Sequence, residues 1–374
     1  MHFPILLGLW LASLEPGAAL HAGRDCIQRA DYSCAERHFR SALAVLPPSD
    51  PRTAIAWANL GATLYLAGRF AESEAATLRS LESYGPGSAN EMASALSNLA
   101  TLYRRSGRFQ DAEAFYRRAQ RTVESIHGVD SGPAGVLRHH FAELYRAWGR
   151  TDEAERHARA AVALLENSGE APRLPFVNSL LTLGIIFQSK GELREAEALI
   201  TRSLALREAA FPPNDPRIAP ALLALASLRL DSSRIPEADQ LFRQALSISQ
   251  TSLGPNHPYC ATALNNLAQT AKLGGRFAEA EGFYRRALAI WEKTTGPNSI
   301  DYALTLSNFA DLFRAQGKFM GAGRMYRRSI ATLSEVLGPD HAAVQSRRQS
   351  LQELTAALER YTNHRVSIQT LRKP

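Results

Sequence analysis

A glycine-centred turn recurs along this chain at a fixed interval. Gly107 is followed by further copies every 42 residues, one of them with serine, and an earlier glycine precedes the series: Gly68, Gly149, Gly191, Ser233, Gly275 and Gly317. A fixed period of this length indicates a stacked array of one supersecondary unit, and it argues against a single catalytic domain.

Three columns of small residues keep the same register around each turn. Five residues after the turn the last six copies have alanine, seven residues before it every copy has alanine or glycine, and twelve residues after it every copy has alanine or serine. Apolar residues on both sides recur at helical spacing, as in Leu96, Leu99 and Tyr103. Each copy is therefore predicted to be a helix, a tight turn and a second antiparallel helix, and the apolar faces are buried only when copies stack.

The repeat resembles the tetratricopeptide repeat family, in the long form found in the kinesin light chain and many bacterial repeat proteins. The copy LGPNHPYCATALNNLAQTAKLGGRFAEAEGFYRRAL is the nearest to the family pattern, and the next copy departs from it at Gly321, where the family usually has glutamate. The resemblance covers residues 26–338 and implies an all-α solenoid of stacked antiparallel helix pairs in a right-handed superhelix. For function it implies binding of a protein or peptide.

We predict one elongated domain over residues 23–338, with a partial N-terminal unit and seven helical hairpins, followed by a capping helix and basic tail over residues 339–374. The loop after each second helix ends that helix with glycine and proline, and Asn256 or Asp340 can cap the next helix. His257 and His341 are interpreted as loop or capping residues, because other copies have different residues there and no ring of metal ligands forms along the stack.

Residues 1–22 have the pattern of a secretory signal peptide. An apolar run from Phe3 to Leu14 is followed by Pro16, Gly17 and small residues up to Ala22. The run is too short to span a bilayer, so no transmembrane segment is expected. We expect an exported protein, periplasmic or secreted; the alternative is a cytoplasmic protein in which the first helix begins inside this segment and is retained.

The three cysteines are Cys26, Cys34 and Cys260. The first two face each other across the predicted first hairpin, where a disulfide would suit an oxidising compartment. Two small reduced core residues are the alternative. Cys260 has no partner in the pattern and is expected to be an unreactive thiol.

In tetratricopeptide repeats the first helix of each unit lines the concave face. Counting residues back from each turn therefore predicts which side chains of these helices line a binding groove. The predicted groove residues are Asn98, Arg104, His140, Arg146, Ile185, Gln188, Leu230, Asn266, Lys272, Asn308 and Arg314. The position three residues before the turn is basic at both ends of the array, and apolar residues lie in the middle. The expected ligand is an acidic peptide with an apolar anchor. Alternatively, the basic residues complement helix dipoles in solvent and the asparagines serve interhelical packing.

Catalytic motifs are missing from the sequence. There is no glycine-rich phosphate loop, GxSxG, HExxH or CxxC pattern. We therefore expect a non-catalytic scaffold or adaptor with no cofactor, no metal and no small-molecule substrate.

A net charge of +7 and a pI near 9.5 keep a nucleic-acid-binding helical repeat as the alternative function. The predicted groove has no column of stacking aromatic residues, which disfavours nucleic acid.

Overall fold

The structure is a computed structural model, and it describes residues 16–29, 31–85, 87–167 and 174–371, with side chains as far as residue 359. The run from Phe3 to Leu14 and residues 372–374 of the basic tail lie outside the described residues. Within these ranges the chain forms helices and no strand; the helices are α1 Pro16–Gln28, α2 Tyr32–Val45, α3 Pro51–Leu66, α4 Phe70–Ser83, α5 Ala89–Arg105, α6 Phe109–His127, α7 Gly132–Ala147, α8 Thr151–Asn167, α9 Leu174–Ser189, α10 Leu193–Ala210, α11 Ala219–Asp231, α12 Ile235–Leu253, α13 Pro258–Leu273, α14 Phe277–Thr294, α15 Ile300–Ala315, α16 Phe319–Leu337 and α17 Ala342–Leu371. None of the described helices has the length and apolar character needed to cross a membrane.

The predicted turns have the left-handed backbone that ends a helix. Gly107 has φ +76°, and Ser233 has φ +59° as the one non-glycine residue with positive φ in the described ranges. After the glycine, the Arg108 amide donates to the Tyr103 carbonyl at 2.9 Å, which satisfies an acceptor at the helix end. Ser233 is therefore a true member of the glycine series.

The columns of small residues lie where the two helices of a hairpin cross. The alanines five residues after the turn have no exposed surface; they are Ala112, Ala154, Ala196, Ala238, Ala280 and Ala322. Seven residues before the turn, a Cβ added to Gly184 would lie 2.7 Å from the Ile200 side chain and 3.3 Å from the Ala196 carbonyl, so any side chain at this position needs the Ile200 side chain to move.

Serine in the third small column makes a hydrogen bond that alanine cannot make. The hydroxyls of Ser80, Ser203 and Ser329 each donate to a carbonyl 26 residues earlier, on the first helix of the same hairpin, at 2.9, 2.7 and 2.6 Å. The position accepts alanine, which has no polar side-chain atom, and serine, whose buried hydroxyl is satisfied by this carbonyl acceptor.

The described chain contains eight hairpins: seven follow the predicted turns, and the first stands where a partial unit was predicted. Helices α1 and α2 pair as the first hairpin, because Ala19, Leu20 and Cys26 are buried against Phe39. The largest core cluster runs through the middle of the array, from Ala93 on α5 to Leu267 on α13. Helix α17 packs against α16, the last helix of the eighth hairpin.

The solenoid coils far enough for early turns to contact late loops. His257 Nε2 lies 2.9 Å from the Leu66 carbonyl, 191 residues earlier, and the Arg105 guanidinium lies 2.9 Å from the Asp301 carboxylate, 196 residues later. We call this line of contacts the seam, formed by Leu66, Gly68, Arg105, Gly107 and Gly149 on one side and by His257, Pro258, Asp301, Val336 and His341 on the other.

Histidines of the long loops cap the helices that follow them. His257 Nδ1 accepts from the Tyr259 amide at 3.2 Å, and His341 Nδ1 accepts from the Ala343 amide at 3.1 Å. The expectation that Asn256 and Asp340 cap these helices is therefore wrong. A histidine can hold the cap with Nδ1 and reach the seam with Nε2, as His257 does at Leu66, and asparagine is too short to do both.

Candidate peptide-binding groove

A cavity of about 570 Å³ opens on the first helices of six consecutive hairpins, from α3 to α13. Six of the predicted groove residues line it: Arg104, His140, Arg146, Ile185, Gln188 and Asn266. Leu181, Ile185 and Leu223 form its apolar wall. The structure therefore brings together the central part of the predicted groove, and we call this space the groove cavity.

The other predicted groove residues lie outside this lining. Asn98 lines a neighbouring cavity of about 410 Å³, which it shares with His140. Leu230 is half-buried and packs against the central core. Lys272 is on α13 but does not line the cavity, whereas Asn308 and Arg314 belong to the next unit, on α15. Arg314 is 3.3 Å from Glu353 on α17.

A carboxylate lies at the centre of the groove cavity. Glu143 faces Arg104 at 3.4 Å and Arg146 at 3.1 Å, and it accepts from the Thr182 hydroxyl at 2.8 Å. Burial raises the pKa of Glu143, but the charges of Arg146 and Arg104 outweigh it and hold that pKa well below its usual range. The two arginines of the predicted basic column thus share one internal counter-charge, and the cluster keeps a net positive charge.

The two adjacent histidines on α7 are neutral. Burial lowers the pKa of His140 to about 3, with further lowering from His139 and Arg104, and burial also lowers the pKa of His139. The His140 ring stacks on Tyr116 with ring centroids 5.5 Å apart and planes 7° from parallel. The pair adds flat, uncharged surface to the cavity, which suits packing against a ligand.

Amide side chains connect neighbouring units along the concave face. The Gln188 amide donates to Asp231 at 2.6 Å and to the Ser227 hydroxyl at 3.1 Å. The Asn308 amide donates to Asn265 at 3.1 Å, and the Asn265 amide donates to its neighbour Asn266 at 3.0 Å. These contacts favour the packing interpretation for Asn308, whereas Asn266 also faces the cavity.

Sequence reasoning missed one column of the groove. Asn178, Pro220 and Thr262 line the cavity, and each stands 13 residues before its turn. Positions 3, 6, 9 or 10, and 13 before the turn follow one another at helical spacing of three or four, so they share one helix face. Extending the count by one more helical turn would have found them. Tyr259, which also lines the cavity, lies one turn further toward the start of α13.

None of the three cysteines lines the groove cavity. Cys26 and Cys34 are joined with sulfurs 2.07 Å apart and Cα atoms 5.8 Å apart. Cys260 is fully buried, and burial raises the pKa of its thiol to about 11, so it stays protonated at neutral pH. Among the described residues, one group of ligand atoms converges as a metal site would require, and it lies at the first hairpin rather than in the groove cavity.

Comparisons with known proteins agree with this architecture. The family described as the MalT-like TPR region, where TPR stands for tetratricopeptide repeat, matches residues 18–231, which is more than half of the chain, and the tetratricopeptide repeat itself matches residues 217–293 and 272–335. The chain belongs to the tetratricopeptide repeat family. No curated protein matches it by sequence.

Solved structures share the fold of this tetratricopeptide repeat protein. A Rap protein complexed with Competence and Sporulation Factor is similar over 92% of this chain and 99% of that one, with a TM-score of 0.60 and 11% identity. BtubC (BKLC) from P. vanneervenii covers 61% of this chain and 92% of its own, at 23% identity and a TM-score of 0.48. The nearly identical TPR-like repeats of a Podosopora anserina kinesin light chain protein cover 53% of this chain and 93% of their own, at 20% identity and a TM-score of 0.41. The Rap comparison carries the fold argument, because it spans nearly the whole of both chains.

Proposed function

We propose that this protein is a non-catalytic scaffold that binds a peptide, or a peptide segment of a partner protein, in the groove cavity. One observation carries the proposal. The cavity lies on the first helices of six consecutive units, and it combines an apolar wall with a polar cluster. Members of this family mediate protein–protein interactions in general, and the Rap structure similar to this chain holds Competence and Sporulation Factor.

The apolar wall is expected to supply most of the affinity. Leu181 and Ile185 on α9 and Leu223 on α11 line the same cavity. Burying one large apolar side chain contributes about 1.5 to 3 kcal/mol, whereas a partly exposed ion pair contributes about 0.2 to 1 kcal/mol. The peptide should therefore carry a large apolar residue at its centre.

The positive charge of the cavity is expected to set orientation. Glu143 already neutralises part of the charge of Arg104 and Arg146, so the cluster offers the ligand about one net positive charge. Arg146 is the more accessible of the two, with 36% of its side chain exposed against 14% for Arg104. An acidic group beside the apolar anchor would meet Arg146 first, and its contribution should weaken with salt.

The test is selection of peptides from a random displayed library against the whole chain, followed by affinity measurement with the synthetic peptide. We expect Ile185→Asp to weaken binding at least tenfold, because a carboxylate in the apolar wall removes the anchor site. Arg146→Ala should weaken it about two- to fivefold, and more at low salt than at high salt.

Two control variants match these changes outside the cavity. Leu273→Asp places the same charge at an apolar residue that is already 57% exposed. Arg117→Ala removes an arginine whose side chain is 65% exposed and pairs with Glu113 on the same helix. Both substitutions should leave the affinity for the peptide unchanged.

The proposal fails if the selected peptides bind the Ile185 variant as tightly as the unmodified chain, or if no peptide is selected. Binding of an RNA oligonucleotide with a steep salt dependence would favour the nucleic-acid alternative instead.

Export is a separate proposal, which rests on the N-terminal sequence pattern. Cleavage after Ala22 would remove the first seven residues of α1, including Ala19 and Leu20, which are 1% and 5% exposed. The retained chain of the cytoplasmic alternative keeps these contacts. N-terminal sequencing of the native protein decides between them: a start near Gly23 supports export, and an intact first hairpin contradicts it.

A further inference from the structure

Three side chains of the first hairpin point at one place. Cys26 comes from α1, and Cys34 and His38 come from α2. Cys34 and His38 are four residues apart, so they lie on the same face of their helix. One ligand atom from each of the three residues lies within 4.8 Å of the other two.

A disulfide between the cysteines leaves the histidine unexplained. His38 Nδ1 is buried and has no hydrogen-bond partner among the described residues. Buried polar atoms are almost always paired, so an unpaired nitrogen on an imidazole ring that lies near two sulfurs needs an explanation of its own. Two sulfurs and an imidazole nitrogen are the donor set of many zinc sites.

We propose that the reduced first hairpin binds Zn²⁺ through Cys26 Sγ, Cys34 Sγ and His38 Nδ1. A dithiol reductant first supplies two electrons and two protons, which cleave the disulfide into two thiols while the reductant becomes a disulfide. Zn²⁺ then displaces both thiol protons and binds two thiolates and the neutral imidazole, with water at the fourth position. The Arg29 guanidinium lies 3.7 Å from Cys26 Sγ, at the edge of the proposed site.

The site would link α1 to α2 under either redox condition. The disulfide joins the helices in an oxidising environment, and Zn²⁺ joins them in a reducing one. Both links use Cys26, which belongs to the N-terminal core cluster together with the buried Phe39. In either case a link would close the first hairpin, by a covalent bond or by metal coordination.

The experiment titrates the full chain with Zn²⁺ against a chromophoric chelator, before and after reduction with a phosphine that is then removed. The reduced chain should bind one equivalent of Zn²⁺, and the oxidised chain none. Cys34→Ser and His38→Ala should each lower the affinity at least tenfold. Cys260→Ser is the matched control, because that thiol is buried in a different cluster, and it should bind like the unmodified chain.

Co²⁺ gives a second readout that does not depend on the variants folding. In the reduced chain it should show a thiolate charge-transfer band in the near ultraviolet and the strong visible bands of a four-coordinate ion. The proposal is overturned if the reduced chain binds no Zn²⁺, if Cys34→Ser binds as tightly as the unmodified chain, or if bound Co²⁺ has the weak spectrum of six oxygen ligands. Failure of peptide binding would leave this result unaffected, because the two sites are separate.

Discussion

Two adjacent arginines on α5 take part in two different kinds of contact. Arg104 turns toward the groove cavity and meets Glu143, 39 residues later on the next hairpin. Arg105 turns toward the seam and meets Asp301, 196 residues later. The groove cavity is thus built by contacts between neighbouring units, whereas the seam is built by the accumulated rotation of several units.

The seam also bounds the groove cavity. Tyr65 and Tyr259 both line the cavity, and they lie next to Leu66 and close to His257 in the chain. The hydrogen bond between the Leu66 carbonyl and His257 therefore joins the first and the last of the helices that line the cavity. Breaking the seam is expected to widen the cavity without changing the contacts between neighbouring hairpins.

The largest effect is predicted for Arg207, which anchors a long loop. Arg207 is 2% exposed, and its guanidinium donates to the Arg217 carbonyl and to Asn178 Oδ1, both at 2.5 Å. Arg207→Ala leaves a cavity and unpaired acceptors, and we expect it to lower the free energy of unfolding by about 2 to 4 kcal/mol. Urea denaturation measures the change.

A matched arginine on the same helix gives the control for Arg207. Arg202 has 49% of its side chain exposed and pairs with Glu166 at 2.7 Å. Arg202→Ala should change the free energy of unfolding by less than about 1 kcal/mol. Equal effects of the two substitutions on the free energy of unfolding would show that the buried Arg207 stabilises the fold no more than the exposed Arg202 does.

The second prediction compares two glycines with the same turn geometry. Gly107 and Gly275 have φ +76° and +72°, but a Cβ on Gly107 would lie 2.8 Å from the Val336 carbonyl, and a Cβ on Gly275 would meet nothing within 4 Å. Both alanine variants incur the cost of the left-handed backbone, about 1 kcal/mol. Gly107→Ala should cost about 1 to 3 kcal/mol more, because it forces the seam apart. Equal unfolding midpoints would mean that the seam does not persist in solution.

The sequence could predict the hairpins and the central groove because those features repeat. One glycine series sets the register and makes Arg104, Arg146 and Gln188 equivalent positions, and the resemblance to tetratricopeptide repeats implies that these positions face the concave side. The seam could not be predicted, because the contact of His257 with Leu66 depends on a small rotation per unit, summed over several units. Pairing of Arg104 with Glu143 also escaped prediction, because the choice of partner depends on side-chain reach across two helices.

The third prediction uses pH to separate the seam from the rest of the fold. Burial lowers the pKa of His257, more strongly than the Leu66 carbonyl raises it, and the charge of Arg105 lowers it further. The unfolded chain therefore binds a proton at this site at higher pH than the folded chain does. The contribution of neutral His257 to stability is complete above about pH 6.5 and is lost as the pH falls below that value.

His257→Asn isolates this effect, because asparagine can keep the helix cap and does not titrate. Between pH 7 and pH 5 the variant should lose less stability than the unmodified chain, by up to about 1.4 kcal/mol per pH unit. The other histidines with lowered pKa values, His139, His140, His157 and His341, are present in both proteins and cancel in the comparison. Parallel pH profiles for the two proteins would contradict a titrating seam.

The smallest effect is expected for the ion pair of the seam itself. The Arg105 and Asp301 side chains are 28% and 38% exposed, so solvent screens their attraction. Arg105 also lies over the Phe70 ring at 4.3 Å, and Arg105→Ala alone therefore removes two contacts. A double-mutant cycle with Asp301→Ala isolates the pair, and we expect a coupling energy of about 0.2 to 1 kcal/mol that falls as salt is added.

The same cycle for Arg104 and Glu143, whose side chains are 14% and 18% exposed, should give the larger coupling energy and the weaker salt dependence. The reverse order would mean that the seam, rather than contacts between neighbouring units, is the better shielded part of the molecule.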